Sequence, residues 1–142
     1  MDKQMYAADQ ISLFCRININ TKKALPIRSS EMGLLIYLVK TKHVKTPMAI
    51  ADFFKVSKAM VTNMMTSLTK KGYIIKQRST EDKRSVFLMP TTLAIDLVEE
   101  TYEEYYKNLV LLEKNMGEEK FGQFIELLKQ ANEILLEERK DG

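Results

Sequence analysis

Within the ten residues Ser57-Lys58-Ala59-Met60-Val61-Thr62-Asn63-Met64-Met65-Thr66, the sequence gathers short hydroxyls, one amide, a small side chain and a cation. That set suits recognition of a polyanion with readable edges. An asparagine amide can pair bidentately with adenine, a threonine can exchange hydrogen bonds and meet a thymine methyl, and a serine beside helix N-terminal amides suits a phosphate. Further along, Arg78, Lys83 and Arg84 stand in Gln77 to Ser85, a stretch with no apolar residue. Bond-making chemistry is not legible: there is no nucleophile with its base, no carboxylate pair in a cleft pattern and no phosphate-cradling glycine loop. One cysteine, Cys15, and one histidine, His43, can form neither an internal disulfide nor a zinc site of the usual Cys/His type. The expectation is a binding protein with no metal or cofactor, not an enzyme.

These side chains need helices to carry them. Thr46-Pro47 is a helix start, because a threonine hydroxyl can accept from orphan backbone N–H groups and proline at the first helical position sacrifices no hydrogen bond. Met48 to Phe54 follows as a short helix. Ser57 caps a second, Lys58 to Lys71, which Gly72 stops. At 100° per residue, Met64, Met65 and Leu68 lie within about 60° of Val61 and form a buried stripe, with Ala59, Asn63, Thr66 and Lys70 opposite. Two short capped helices in close succession are the sequence form of a helix-turn-helix, whose second helix enters the major groove. Lys55 stands in the turn where a glycine is often found. The candidate base-reading residues are therefore Ser57, Lys58, Ala59, Met60, Thr62, Asn63 and Thr66; a solvated helix face with no partner is the plain alternative.

After Gly72 the period changes. Tyr73-Ile74-Ile75-Lys76 and Val86-Phe87-Leu88-Met89 are β-prone runs around the charged stretch and predict a hairpin with a long polar tip. A charged hairpin directly after a recognition helix is the wing of a winged helix, placed to reach the backbone or the adjacent minor groove. Arg78, Lys83 and Arg84 are its cations, and Asp82, which would repel phosphate, is assigned a structural role at the tip.

Flanking this middle are more helices. Ala8 to Ile19 has helical spacing through Ile11, Phe14, Cys15 and Ile19, and Ser29 can cap a helix made apolar nearly all round by Met32, Leu34, Leu35, Ile36, Leu38 and Val39. Thr92 to Met116 carries a stripe of Leu93, Leu97, Thr101, Tyr105, Leu109, Leu112 and Met116; Gly117 ends it before a last helix, Glu118 to Arg139. Those stripes exceed what one small winged helix can cover, so another copy of the chain is the natural cover. Cys15 beside Phe14 reads as packing, with peroxide sensing as the alternative. Tyr102, Tyr105 and Tyr106 could line an effector pocket or simply pack.

The net charge of +3 conceals a polarity: residues 1–90 hold 16 basic against 6 acidic residues, and residues 91–142 hold 6 against 13. A basic block suits phosphate contact and an acidic one does not. No apolar run approaches the roughly 20 residues of a membrane span, and the first residues lack a secretory pattern, so a cytoplasmic protein is expected.

In its middle the sequence resembles the MarR family. The likeness runs from about Leu25 to about Leu97, with similar helical architecture at both ends. Its specific parts are Val56-Ser57-Lys58-Ala59-Met60-Val61-Thr62, then Leu68 with Lys70-Lys71-Gly72, and the wing signature Glu81-Asp82-Lys83-Arg84-Ser85. Asn63 stands where that family often has arginine, and Pro90 and Ala94 where leucine and glycine are usual. The resemblance implies a mainly α fold with a small β-hairpin wing. It also implies a homodimer joined by the first helix and the last two, binding double-stranded DNA at a pseudo-palindromic operator and released by a small-molecule effector or an oxidant. Residues 29–90 would then form the DNA-binding region, and residues 1–28 and 91–142 the helical dimerisation region. A winged helix that binds an acidic protein instead remains the competing reading.

Overall fold

A computed structural model describes residues 2–19, 25–41, 45–81 and 85–141, with side chains in these ranges except at 18, 19, 140 and 141. The elements run α1 (Lys3–Ile19), α2 (Ser29–Lys40), α3 (Pro47–Phe54), α4 (Lys58–Lys70), β1 (Ile74–Arg78), β2 (Val86–Pro90), α5 (Thr92–Met116) and α6 (Glu118–Asp141). They fall into two compact units, Met1–Tyr102 and Glu103–Gly142. None of the described helices is long and apolar enough to cross a membrane.

The core of the first unit is built from one to three residues of each element from α2 to α5: Met32, Leu34 and Leu35 of α2, Ile50 of α3, Val61 and Leu68 of α4, Ile74 of β1, Leu88 of β2 and Val98 of α5 are fully buried. Helix α2 is enclosed nearly all round, as its apolar composition requires. The hairpin is antiparallel, with Ile74 opposite Pro90, Lys76 opposite Leu88 and Arg78 opposite Val86. On its far side Leu88 donates to the Lys45 carbonyl at 2.8 Å, which adds an isolated bridge before α3.

Three expectations need correction. Helix α1 starts at Lys3 rather than Ala8, because Asp2 caps it: its carboxylate accepts from the Met5 N–H at 2.7 Å. Ser29 is the first residue of α2 and not its cap; Arg28 holds the cap position, and the Glu31 carboxylate reaches back to accept from the Arg28 N–H at 2.9 Å. Along α5 the buried positions in the first unit are Ala94, Val98 and Thr101, while Leu93 is half exposed. The buried face thus keeps Thr101 of the expected stripe but takes Ala94 and Val98 in place of Leu93 and Leu97, since small side chains are what allow a helix to approach closely. In the second unit, Tyr105 packs edge-on against Tyr106 with ring centroids 5.0 Å apart, and burial pushes the Tyr105 phenol upward from its ordinary pKa.

Among the described residues three positions take left-handed backbone, Lys55, Gly72 and, with φ 90° between α5 and α6, Gly117. Gly72, at φ 85°, closes α4: its N–H bonds the Thr69 carbonyl at 3.1 Å and the Tyr73 N–H the Leu68 carbonyl at 2.9 Å, the double bond of a Schellman motif. Lys55, between α3 and α4, adopts φ 56° and ψ 45°, a conformation that costs an L-residue about 1 kcal/mol or more. A Cβ at Gly72 would meet Leu93 Cδ2 at 3.9 Å, an ordinary contact, so the penalty for a side chain there lies in the backbone. Gly72→Ala should therefore lower stability by about 1–2 kcal/mol, and Lys55→Gly should raise it by roughly 0.5–1 kcal/mol, as read from urea midpoints.

Candidate nucleic-acid interface

Helix α4 divides cleanly. Val61, Met64, Met65 and Leu68 are buried, and Ser57, Lys58, Ala59, Met60, Thr62, Asn63 and Thr66 are all exposed, as the helical period requires. Its cap is formed as expected, with the Ser57 hydroxyl accepting from the Met60 N–H at 3.1 Å. Thr46 does the same for α3, accepting from Ala49 at 3.1 Å. The Thr62 hydroxyl donates to the Lys58 carbonyl at 2.9 Å, so its methyl and its lone pairs are what it offers outward.

Arg78 is exposed but lies on strand β1 opposite Val86, so the strand reaches further into the charged stretch than the expected Tyr73 to Lys76. Ser79 continues the pairing, donating to the Ser85 carbonyl at 3.0 Å. Asp82, Lys83 and Arg84 lie outside the described residues, as does His43. An open cleft of about 420 Å³ separates the first turn of α4 from the wing, lined by Thr46, Met48, Lys58, Val61, Thr62 and Val86 among others. Lys58, Lys70, Lys71, Lys76 and Arg78 are exposed along this stretch of chain, while the nearest described acidic side chains in sequence are Asp52 and Glu81. Such a surface can neutralise phosphates while the polar face of α4 meets base edges.

The exit of α4 is held by two residues that the sequence reading did not single out for this role. Thr91 precedes α5; its hydroxyl is shared between the carbonyls of Gly72, at 2.7 Å, and Tyr73, at 3.1 Å, and accepts from the Ala94 N–H at 3.3 Å. Glu31 is a carboxylate with no exposed surface. Besides the Arg28 N–H it meets the Arg28 guanidinium at 3.4 Å and the Lys71 ammonium at 3.7 Å. Burial alone would push its pKa up. Hydrogen bonds from Ser67, from the Arg28 backbone and from its guanidinium, with the Lys71 charge, outweigh that and hold the carboxyl below its ordinary range. The available signal was a glutamate at the third position of a helix, the site of a capping box.

Among the described residues no group of three His, Cys, Asp or Glu is placed to hold a metal ion. Cys15 is exposed on α1 rather than packed within its own chain. Tyr102 lies under the Lys40 ammonium, 4.5 Å from its ring centroid.

Two capped helices around a left-handed turn, followed by an antiparallel hairpin, define a winged helix-turn-helix protein. Residues 34–86 match the model of the MarR family. It is 25% identical over 110 residues to the HTH-type transcriptional repressor YetL of Bacillus subtilis (strain 168), across 77% of this chain and 66% of that one. It thus spans just under two thirds of that relative. In fold it is similar to S. aureus MepR crystallised with DNA, at TM-score 0.78 and 21% identity over 94% of this chain and 98% of the other. The adhesin competence repressor of Streptococcus pyogenes also has TM-score 0.78, at 16% identity over 96% and 99% of the two chains.

The Glu31 network has a pH signature. Because its pKa is lowered in the folded state, its contribution is whole above the ordinary carboxylate range and is lost as pH falls through that range and the lower folded value. Its two cationic partners keep 67% and 43% of their side-chain surface, for Arg28 and Lys71, and can rehydrate when the carboxylate is removed. Glu31→Gln should lower stability by about 1–3 kcal/mol at neutral pH, a gap that narrows as pH falls below the ordinary carboxylate range. Urea denaturation of both proteins across pH measures it; a gap independent of pH would assign the loss to packing.

Proposed function

We propose that this protein is a sequence-specific, double-stranded DNA-binding transcriptional repressor that acts as a homodimer on a pseudo-palindromic operator in the cytoplasm. The observation that carries the reading is the outward face of α4, from Ser57 to Thr66, exposed beside a cationic hairpin while the opposite stripe is buried. Ser57 and Lys58 engage the phosphate backbone, Ala59, Met60, Thr62, Asn63 and Thr66 face the base edges, and Arg78, Lys83 and Arg84 engage the backbone or minor groove beside them. Asp82 organises the tip. YetL is a repressor and MepR has been crystallised with DNA, which supports the same class of partner.

Dimerisation is assigned to residues 1–28 and 91–142 and DNA binding to residues 29–90. Exposed apolar side chains support the first assignment: Met5, Tyr6, Ile11, Leu13 and Ile17 on α1, and Leu109, Val110 and Leu111 on α5 with Ile125, Leu128 and Leu135 on α6. A second copy would cover them. A small-molecule effector that shifts this dimer between DNA-binding and released forms completes the reading.

Duplex affinity should fall steeply as salt rises, and Arg78→Ala or Arg84→Ala should weaken all duplexes similarly and reduce the salt slope by about one each. Thr62→Ala and Asn63→Ala should instead change preference at one or two base pairs, by about 1–3 kcal/mol. Fluorescence anisotropy on a panel of single-substitution duplexes separates these effects; absence of duplex affinity at low salt, with binding to an acidic protein retained, would favour the protein-binding reading. Leu128 and Leu135, 45% and 64% exposed, can be changed without opening the core of one chain. Leu128→Glu with Leu135→Glu should give a folded monomer by sedimentation, with poor operator affinity.

A further inference from the structure

We propose that Glu31 is a positioning residue for DNA reading: by holding the C-terminal end of α4 against the start of α2, it sets the angle at which Ser57 to Asn63 meet the bases. The inference rests on the DNA-binding reading above and adds to it a residue far from the reading surface.

Its basis is where α4 is held and where it is open. At the far end, Oε1 of the buried Glu31 carboxylate lies 3.7 Å from the Lys71 ammonium and also accepts from the Arg28 N–H at 2.9 Å at the start of α2. Oε2 faces the Arg28 guanidinium at 3.4 Å, and Ser67 is a further hydrogen-bond partner. The Gly72 turn and the Thr91 hydroxyl fix the chain just beyond. At the reading end, by contrast, Lys58, Val61 and Thr62 border the open cleft of about 420 Å³. Packing against α3 and the core holds the start of the helix, and the polar link from α2 bears on its exit. From Ser67 to Ser57 is ten residues, about 15 Å of helix, so a tilt of only about 4° at the anchor moves the reading end by about 1 Å. A displacement of that size takes a hydrogen bond out of range, since such bonds weaken steeply beyond about 3.2 Å.

Hydrogen bonding makes the carboxylate suited to this. An apolar residue at position 31 could fill the space, but it would leave the Arg28 N–H without its acceptor and would exert no directional pull on Ser67 or Lys71. Phosphate contacts tolerate small tilts because Lys and Arg side chains are long and their attraction falls off slowly, whereas base contacts do not. Discrimination between duplexes is therefore the sensitive readout, and general DNA affinity is the insensitive one.

The test uses the full chain. Selection from a random duplex library gives the preferred duplex of the wild type, and a scrambled duplex of the same composition serves as the non-specific probe. Affinities for both are measured by anisotropy on wild type, Glu31→Gln, Ser67→Ala and the double variant, at a temperature where circular dichroism shows each to be folded. The ratio of preferred to scrambled affinity should fall about tenfold in each single variant, with scrambled-duplex affinity and its salt slope unchanged. The double variant should lose no more than the worse single, because both substitutions break one linkage. An unchanged ratio in folded single variants, whatever their loss of thermal stability, overturns the proposal, and Ser67→Ala alone decides it should Glu31→Gln fail to fold. Failure of the wild type to select any duplex would overturn the DNA-binding reading itself and this inference with it.

Discussion

Helix α4 can bury only one stripe. Val61, Met64, Met65 and Leu68 recur at helical spacing and pack into the core of the first unit, so the residues turned away from them have to face solvent. Everything placed on the opposite side, from the Ser57 cap to Thr66, inherits a fixed direction from that packing. Were α4 rotated by a quarter turn, an apolar side chain would emerge where Asn63 stands, and a polar one would enter the core at the cost of an unpaired group. The proposed reading surface is in this sense a by-product of the core.

A direction is not yet an orientation, and the second is supplied by the ends of the helix. The left-handed Lys55 sets the crossing of α3 and α4, and the Schellman turn at Gly72 sends the chain directly into β1. Thr91 then ties that exit to the start of α5 through the carbonyls of Gly72 and Tyr73. Glu31 adds a link from α2. The Lys55 and Gly72 turns are local, whereas the Thr91 and Glu31 contacts join segments distant in sequence and satisfy polar groups there.

Charge is distributed to match. The positive excess of residues 1–90 lies on the part that carries the polar helix face and the hairpin, and the negative excess of residues 91–142 on the two longest helices. The long helices expose apolar side chains of the kind a second copy would cover in the proposed dimer. Binding through phosphates needs local positive charge and not a high total, which is how a net charge of +3 is compatible with the proposed partner.

Local rules made much of this legible in the sequence. Caps at Thr46 and Ser57, the stops at Gly72 and Gly117, the change of period into a hairpin and the two faces of α4 all depend on residues a few positions apart, where propensity and periodicity are strong. Less of the site was legible where long-range packing intervenes. The α5 stripe kept Thr101 but shifted from Leu93 and Leu97 to Ala94 and Val98, because closeness of approach favours these over larger neighbours. Glu31 was passed over because a glutamate is ordinarily a solvated charge, and the arrival of Ser67 and Lys71 from the end of α4, added to the local Arg28 contacts, makes a buried carboxylate tenable there. The sequence by itself determined which segments are helix or strand and which face of α4 is polar, since these follow from neighbours along the chain. Tertiary structure alone decided which distant side chain anchors that face, because hydrogen bonds between elements depend on a geometry that sequence spacing does not contain.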